Sequence, residues 1–261
     1  MVECGVFADI HCHVLPQLDD GATSWAESLA MARIAVAEGI RTIVATPHQL
    51  GMYSHNRGGI IRGHVSQLQQ LLERHRIPLT VLPGADVRIA PEMLPGLKAG
   101  EILTLGDTDV YVLLELPHDV YFPLDPVLDG LEQMGMQGIL SHPERNEAIL
   151  RNPELVAPLV QRGCPMQVTA GSLVGTFGPA CQKMSKWLFE QGLAHIVATD
   201  AHGSRNRRPL MKRAFETVIE WVDEDAAVQT CCVNPLAVAK GDRVDLDVTR
   251  PRRRRFAKWL G

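Results

Sequence analysis

The sequence predicts an α/β fold in which seven parallel strands and the helices between them form a TIM-like barrel. Apolar, strand-like runs alternate along the chain with segments of helical period. These runs are almost continuously apolar, which is typical of a parallel sheet covered on both faces. Nearly every run ends in a charged or imidazole side chain. A barrel brings such ends to one shared mouth, whereas an open doubly wound sheet would spread them along a crevice.

Seven segments have the aliphatic and β-branched composition of buried strands. In chain order they are VFADIHC (6–12), RTIVATP (41–47), LTVLPGADV (79–87), DVYVLLEL (109–116), GILSHP (138–143), PMQVTA (165–170) and AHIVATD (194–200). Helical periodicity predicts helices over 24–38, 60–75, 124–135, 153–162, 179–191 and 207–222, with only a short one near 91–99. Strands and helices therefore alternate along most of the chain.

The first and the last predicted helices carry terminal signals. Ser24 and Glu27 fit a capping box at the start of the first helix, and Gly39 supplies its C-terminal stop. The Asn-Pro pair at Asn234 predicts the cap of a short last helix.

Length and composition favour one domain. A chain of 261 residues with 46% hydrophobic content can bury one sizeable core. We expect a barrel domain over residues 1–249 and a basic, disordered tail over 250–261. Every apolar run is shorter than the roughly 18 residues of a membrane span, and the N-terminus lacks the basic start of a signal peptide. These features predict a cytoplasmic protein.

Charge is distributed unevenly. The net charge is -4, but the segment RPRRRRFAK (250–258) holds six basic residues and no acid, which leaves the rest of the chain at -10. An acidic body argues against a broad nucleic-acid surface, so we expect no nucleic-acid partner. The tail suits contact with an anionic membrane surface or an acidic partner. A solvated end without a partner is the alternative.

The cysteines indicate neither a zinc ribbon nor a disulfide framework. They contain no C-x-x-C pair, and adjacent cysteines seldom bridge each other. The six are Cys4, Cys12, Cys164, Cys181, Cys231 and Cys232. We expect reduced thiols.

The segment FADIHCHVLPQLDDGA (7–22) places two histidines on one strand. Alternate residues of a strand point to the same face, so His11 and His13 can converge on one point. The acids and the glycine that follow form a turn. Taken alone, this pair is weak evidence for a metal site, because two hydrogen-bonded histidines near a strand end are the more common explanation.

Histidines and carboxylates recur at the ends of the other predicted strands. Imidazole and carboxylate suit zinc, manganese and iron, nine ligands exceed the needs of one ion, and a carboxylate such as Asp86 can bridge two ions. The candidate ligands are His11, His13, Asp20, His48, Asp86, Glu115, His142, Asp200 and His202. Each has a simpler individual explanation, such as a loop histidine, a core salt bridge or an Asx cap, but their joint position at the strand ends favours a metal site.

Several motifs together resemble a known family. They are DIHCHVLPQLDDGA (9–22), IVATPH (43–48), PGADVRI (83–89), HPERN (142–146), GSLVGTFG (171–178) and ATDAH (198–202). Over about the whole chain the sequence resembles the bacterial metal-dependent protein-tyrosine phosphatases of the polymerase and histidinol phosphatase (PHP) superfamily, which are encoded with capsule and exopolysaccharide genes. The motifs DDGA, HPERN and GSLxGxFG favour this branch over the histidinol phosphatases.

The resemblance implies a distorted TIM-like (β/α)7 barrel that holds three divalent metal ions at the C-terminal ends of the strands. Manganese is the expected metal, with iron and zinc as alternatives. The resemblance assigns His11, His13, Asp86 and Asp200 to one ion, Asp86, Glu115 and His142 to a second, and Asp20, His48 and His202 to a third. Asp86 stands where the family more often has Glu, so the side chain is one methylene shorter.

The resemblance also assigns Arg145 in HPERN and Arg207 in HGSRNR to phosphate binding. The planar fork of arginine suits two phosphate oxygens, although a salt bridge from Arg145 to Glu144 or Glu147 is the simpler role. A water bridging two ions would supply hydroxide near neutral pH for in-line attack on phosphorus. No cysteine nucleophile is then needed.

Two glycine-rich segments lie beside these motifs. AGSLVGTFG (170–178) lets backbone N–H groups approach an anion, but a plain strand-to-helix turn is an equal explanation. HQLGMYSHNRGG (48–59) can line the substrate mouth, with Tyr53 as the contact to an aromatic ring.

The leading functional hypothesis is a phosphomonoesterase acting on phosphotyrosine in a protein. Its expected partner is the tail of a bacterial tyrosine kinase that controls polysaccharide export, at the inner face of the membrane. One alternative is a small-molecule phosphatase of the same superfamily, for example one acting on histidinol phosphate. A non-catalytic, metal-stabilised regulatory module is another. The sequence leaves the oligomeric state open.

Overall fold

The computed structural model describes residues 6–244 and residue 246, and its strands form two parallel sheets. The smaller sheet has the order β1-β2-β4 and the larger one the order β3-β5-β6-β7-β8-β9. The strands are β1 (Phe7–Cys12), β2 (Ile40–Ala45), β3 (His48–Gln49), β4 (Thr80–Pro83), β5 (Asp86–Arg88), β6 (Tyr111–Glu115), β7 (Gln137–Ser141), β8 (Met166–Thr169) and β9 (Ile196–Ala198). The α/β class with parallel strands is confirmed.

Each of the seven predicted runs contains a strand, but two strands are interrupted. Strand β2 is followed by β3 after Pro47, which lacks the N–H that a continuous ladder would need. Strand β4 is followed by β5 after Gly84, where an added Cβ would lie 2.6 Å from Val44 Cγ1. Because β2 pairs with β4 and β3 pairs with β5, the two interruptions lie side by side and divide the strands into two sheets.

The first strand also contacts the chain that leaves β9. The amide of Asp200 donates to the carbonyl of His11 at 2.7 Å, and the amide of His13 donates to the carbonyl of Ala201 at 2.8 Å. A parallel bridge between Cys12 and Ala201 accompanies them. Asp9 adds a buried carboxylate that accepts from the Thr199 amide at 2.9 Å. These bonds join the outer strand of the small sheet to the last strand of the large one.

Helices connect the strands on the outside. They are α1 (Trp25–Ala37), α2 (Gly58–Arg74), α3 (Met93–Lys98), α4 (Asp125–Gln133), α5 (Glu147–Arg151), α6 (Val156–Gln161), α7 (Ala170–Leu173), α8 (Pro179–Glu190), α9 (Lys212–Trp221), α10 (Glu224–Val228) and α11 (Asn234–Lys240). Helices α5, α7 and α10 are not predicted from the sequence, since each has five residues or fewer. Helix α9 begins five residues later than predicted, because residues before it form a site loop.

The capping box predicted for α1 is only half present. Ser24 Oγ accepts from the Glu27 amide at 3.2 Å, as expected of an N-cap. The Glu27 carboxylate, however, accepts from the amide of Ser204 at 2.7 Å and so ties α1 to a distant loop. Gly39 has a φ of 91° and ends the helix as predicted.

The cap predicted at Asn234 is wrong. Asn234 has helical backbone angles and follows directly on a π-helical segment, Gln229–Val233, that continues α10 into α11. Its side chain is buried and donates from Nδ2 to the carbonyl of His195 at 2.8 Å. Asn234 therefore joins the last helix to the start of β9 and caps no helix.

The core has two parts. The larger part lies between strands and surrounding helices, and a smaller cluster joins the inner strand faces, through residues such as Ile10, Leu113 and Ile139, to Val238 and Ala239 of α11. Over the part of the chain that the structure describes, no helix combines the length and apolar character needed to cross a bilayer. The predicted basic tail at 250–261 and the boundary before it lie outside the described residues.

Candidate functional site

All nine candidate ligands meet at the C-terminal ends of the strands. They form four overlapping groups, and within each group one ligand atom per residue lies within 4.8 Å of the others. The groups are His13, Asp20, His48 and His202; His11, His142 and Asp200; His11, His13 and Asp86; and His48, Asp86 and Glu115. Strands far apart in sequence thus supply one continuous cluster of nitrogen and oxygen donors.

The buried centre of the cluster is formed by two histidines and two aspartates. His11 Nε2 lies 3.3 Å from Asp200 Oδ1 and 3.5 Å from Asp86 Oδ2. His13 Nε2 lies 3.4 Å from Asp200 Oδ1 and 3.2 Å from His11 Nε2. The alternation expected of β1 therefore does aim both imidazoles at one region.

The outer part of the cluster is more exposed. Asp20 Oδ1 lies 3.6 Å from His48 Nε2 and 3.5 Å from His202 Nε2, and its side chain is 54% exposed. Asp20 reaches this position because Gly21 folds back on His13; an added Cβ at Gly21 would lie 2.3 Å from the His13 carbonyl oxygen. Substrate would therefore approach from this side.

Several candidate ligands lie in other groups than the resemblance implies. His13 also joins Asp20, His48 and His202; Glu115 lies with His48 and Asp86, whereas His142 lies with His11 and Asp200. The reason is their position on neighbouring strands: β6 pairs with β5, which carries Asp86, while the chain after β7 turns toward the β1–β9 junction. Asp86 is shared by two of the groups.

The donor set fits divalent cations. Asp86 is fully buried, and its Oδ1 has no hydrogen-bond partner among the described residues, while its Oδ2 lies 3.2 Å from His48 Nδ1 and 3.5 Å from His11 Nε2 without forming a hydrogen bond to either. Buried polar atoms of this kind are rare unless they bind an ion or water. Imidazole and carboxylate are the donors that manganese, iron and zinc accept.

The electrostatics of the cluster follow from its alternating charges. Burial opposes ionisation of Asp86, but His11 and His48 hold the pKa of its carboxyl well below the usual range. Burial would lower the pKa of His13, yet Asp19 and Asp200 raise it to about 10. Burial and the neighbouring Asp86 raise the pKa of Glu115 to about 7. Protons and metal ions therefore compete for the same donors.

Two residues that the sequence did not single out orient the histidines. Asp19 Oδ2 accepts from His13 Nδ1 at 2.6 Å and from the His48 amide at 3.0 Å. Gln167 Oε1 lies 2.8 Å from His11 Nδ1. Each bond fixes one ring nitrogen as the donor and leaves Nε2 as the ligand. From the sequence, Asp19 is interpreted only as a turn residue, although the adjacent acids Asp19 and Asp20 were a signal that could have identified it. The sequence contains no signal for Gln167.

Three site residues have left-handed backbone conformations. The φ angles are 33° at His142, 49° at Asp200 and 48° at Arg207. Such angles are costly for residues other than glycine and persist where the surrounding structure enforces them. Here the Asp200 amide is held by the His11 carbonyl, and the Arg207 carbonyl accepts from the His202 amide at 2.9 Å. The strain turns these side chains inward at the strand ends.

Both predicted arginines contact the same ligand. Arg145 Nη1 and Arg207 Nη2 donate to Asp200 Oδ2, the latter at 2.5 Å, while Asp200 Oδ1 faces the histidines. The ring of Phe177 is close to both, with its centroid 4.4 Å from the Arg145 guanidinium carbon and 5.7 Å from that of Arg207. Two planar cations are thus held side by side next to the ligand cluster.

The glycine-rich segment 170–178 forms a strand-to-helix turn, the simpler of the two predicted roles. Helix α7 starts directly after β8, and an added Cβ at Gly171 would lie 2.8 Å from the Phe177 ring. The segment therefore positions the Phe177 ring, which contacts both arginines.

The simpler role weighed for Arg145, a salt bridge to Glu144 or Glu147, is wrong. Glu144 is buried and accepts from the Thr169 amide at 3.0 Å and from Ser172 Oγ at 2.7 Å, and Glu147 pairs with Arg151. Arg145 pairs with Asp200 instead.

A cleft of about 340 Å³ adjoins the outer ligands. Its lining includes Tyr53 and Arg88 together with Asp20, His48 and Glu115. The Tyr53 ring stacks on the His48 imidazole with centroids 5.3 Å apart and planes inclined by 19°. The Tyr53 ring therefore forms an aromatic wall of the cleft next to the candidate ligands.

Among the described residues, no cysteine belongs to the donor groups. Burial raises the pKa of Cys12 well above its usual value, and Cys12 packs in the larger hydrophobic core. Burial likewise raises the pKa of Cys164 to about 12. Protonated, buried thiols are poor nucleophiles.

Comparison with known proteins agrees with this geometry. The profile of the family described as Capsular polysaccharide synthesis, CpsB/CapC, matches residues 7–240. Tyrosine-protein phosphatase YwqE of Bacillus subtilis is 43% identical over 201 residues, covering 76% of this chain and 78% of YwqE.

Solved structures give the same result. The fold matches a chain from the crystal structures of YwqE from Bacillus subtilis and CpsB from Streptococcus pneumoniae, described as unique metal-dependent tyrosine phosphatases, with a TM-score of 0.88 and 36% identity over 95% of this chain and 100% of the other. A D-hydantoinase matches in fold alone, with a TM-score of 0.52 and 13% identity over 89% of this chain and 70% of its own.

Proposed function

The chain belongs to the CpsB/CapC capsular polysaccharide synthesis family, and on that premise we propose that it is a metal-dependent phosphomonoesterase that hydrolyses phosphotyrosine in proteins. The observation that carries this proposal is the overlap of the four donor groups beside two arginines that converge on Asp200. Overlapping groups with a shared carboxylate suit several ions at short separation, as in two-metal phosphatases.

We assign three divalent ions to the cluster, manganese in the first place and iron or zinc as alternatives. His11, His13, Asp20, His48, Asp86, Glu115, His142, Asp200 and His202 would hold them, with Asp86 shared between ions. When bound, the ions supply an activated water and Lewis-acid polarisation of the phosphoryl group.

The protein's own groups bind and orient the substrate. Arg145 and Arg207 present planar forks beside the ligands and bind the non-bridging phosphate oxygens. Phe177 restricts both guanidinium groups and so lowers the entropy lost when the phosphate binds. The tyrosyl ring occupies the cleft next to Tyr53, with its ester oxygen toward the ligand cluster.

The positions of the ligands also favour one closed scaffold. Hydrogen bonds between β1 and the chain after β9 connect the outer strands of the two sheets. We propose that the sheets together form a distorted (β/α)7 barrel, in which β2 with β3 and β4 with β5 each serve as one broken barrel strand.

We propose a tyrosine kinase of the capsule or exopolysaccharide machinery as the protein substrate. This places the enzyme in the cytoplasm, at the inner face of the membrane, where the basic tail adds attraction to anionic lipid. The tail would serve recruitment and not hydrolysis.

Turnover by chelator-stripped protein tests the proposal. We expect no hydrolysis of a phosphotyrosine peptide without metal and recovery on addition of manganese, with magnesium, zinc and iron as comparisons. Alkylation of the thiols should leave the rate unchanged. Activity in a metal-free sample, or a higher kcat/KM on histidinol phosphate than on the peptide, would contradict it.

A further inference from the structure

A second cleft, distinct from the one beside Tyr53, lies on the other side of the arginines. It has a volume of about 530 Å³ and lies between the α7 turn and the loop that precedes α9. Its apolar lining includes Gly171, Phe177 and Leu210. Four arginines, Arg205, Arg207, Arg208 and Arg213, line the same cleft, and its lining contains no acidic residue.

Part of the positive charge of this cleft has no carboxylate partner. Within the described residues, no carboxylate oxygen lies within 4.0 Å of the guanidinium nitrogens of Arg208 or Arg213. Both side chains are exposed, and Arg213 lies in the first turn of α9, where a cation opposes the helix dipole. The first amides of α9 are bonded to Glu38, so the arginine side chains, and not the helix end, define the site. Arginines that cluster without a carboxylate partner, one of them at a helix end that disfavours cations, indicate an anionic ligand.

The cleft shares two residues with the catalytic site. Arg207 contacts Asp200 and also lines the cleft. Phe177 contacts Arg145 and Arg207 and likewise lines it. An extended peptide advances about 3.3–3.6 Å per residue. When its phosphotyrosine occupies the ligand cluster, a neighbouring residue of the same peptide therefore lies at the cleft.

We propose that this cleft binds an anionic side chain of the peptide substrate, a carboxylate or a second phosphate that flanks the phosphotyrosine. The proposal rests on the proposed function and adds a specificity determinant to it. A concave site with an apolar floor suits a single side chain better than a flat lipid or nucleic-acid surface. Because the chain outside the tail is acidic overall, a local basic cleft attracts an anionic group more strongly than the surrounding surface does.

The test compares phosphotyrosine peptides that differ only in the flanking residue: Glu, phosphotyrosine, Gln or Lys. Wild-type enzyme should prefer the Glu and phosphotyrosine peptides, and the better of the two identifies the anion. The double variant Arg208→Ala/Arg213→Ala should lower kcat/KM on these peptides by about tenfold or more, mainly through KM, because two charge-assisted contacts are lost. Its rates on the Gln peptide and on para-nitrophenyl phosphate should match the wild type.

The matched control is Arg33→Ala/Arg74→Ala, which removes the same charge from exposed positions on α1 and α2. It should show wild-type preferences. Charge reversal, Arg208→Glu/Arg213→Glu, should transfer the preference to the Lys peptide. Binding of a non-hydrolysable phosphonate analogue of the Glu peptide provides a readout independent of turnover.

Three results would overturn the proposal: a wild type without preference among the peptides, an equal loss on all substrates in the double variant, or the same loss in the control. Failure of the proposed function is different, because no phosphotyrosine substrate would then be turned over by any metal-loaded form. In that case the phosphonate peptide would also fail to bind.

Discussion

Histidines at the two ends of the strands have different electrostatic surroundings. At the C-terminal ends, His11, His13 and His48 each face carboxylate oxygens at 3.2–3.7 Å or closer, and these acids raise their pKa values despite burial. At the N-terminal end of β9, His195 is fully buried, and no carboxylate oxygen of the described residues lies within 4.0 Å of its ring nitrogens; its Nδ1 accepts from the Met166 amide at 3.2 Å. Burial there lowers the pKa of His195 to about 4.

The comparison shows that neighbouring acids can raise the pKa of a buried histidine, which burial alone lowers. His142 refines the rule, because burial and the adjacent Arg145 hold its pKa well below the usual range even inside the cluster. A histidine kept neutral needs no proton removed before it binds a metal. Burial and the neighbouring His13 likewise lower the pKa of His202. The cluster thus combines histidines that must lose a proton before they bind a metal with two, His142 and His202, that need not.

The largest expected effect comes from removing the carboxylate with many contacts in the cluster. Asp200→Ala should reduce turnover at least about ten-thousandfold, because Asp200 Oδ1 lies within 3.5 Å of His11, His13 and His202 and its Oδ2 is the common acceptor of both arginines. Circular dichroism should stay close to wild type, since residues at this rim serve chemistry more than stability. Metal content and kcat are the measurements. Near-normal turnover would exclude Asp200 from the site.

A smaller loss is expected for the arginine fork. Arg207→Lys keeps the charge but loses the bidentate geometry, so kcat/KM on a phosphotyrosine peptide should fall about a hundredfold. Metal content, measured by atomic absorption, should not change. Loss of metal together with activity would show that Arg207 supports the ligand Asp200 and does not bind phosphate.

The opposite end of the strands should respond to pH through stability. Unfolded His195 binds a proton near pH 6.5, whereas the folded protein keeps it neutral to about pH 4. Stability is therefore lost as pH falls through this window, by about 2 kcal/mol between about pH 7.5 and pH 5. Urea unfolding of wild type and His195→Asn gives the measurement, because asparagine retains a neutral acceptor and the rim contributes equally to both proteins. Parallel pH profiles for the two proteins would contradict the prediction.

The smallest expected effect comes from an orienting residue at the rim. Asp19→Asn should weaken metal affinity about tenfold, because it removes the charge that fixes His13 as a ligand through Nε2. The affinity is measured by competition with a chelator, and excess metal should restore most of the turnover. Asp129→Asn, a surface acid paired with Arg162, is the control and should have no effect. An unchanged metal affinity in Asp19→Asn would show that Asp19 serves only in the turn that the sequence indicates.

The sequence by itself determined the alternation of strands and helices, the parallel sheet and the nine donors. These are local properties: a continuous apolar run, a helical period, and a polar side chain at a strand end. Even Gly21 and Gly39 are recognisable, because a tight turn and a helix stop have direct sequence signals.

Only the tertiary structure decided which donors lie together and what holds them. Glu115 and His142 changed groups because strand pairing, and not chain order, sets their neighbours. Gln167 and Phe177 contact site residues that lie 156 and 32 positions away along the chain, and the Glu27 carboxylate accepts from an amide 177 positions away instead of completing the capping box. Hydrogen bonds and ring contacts of this kind depend on positions in space, so no periodicity or spacing in the sequence encodes them.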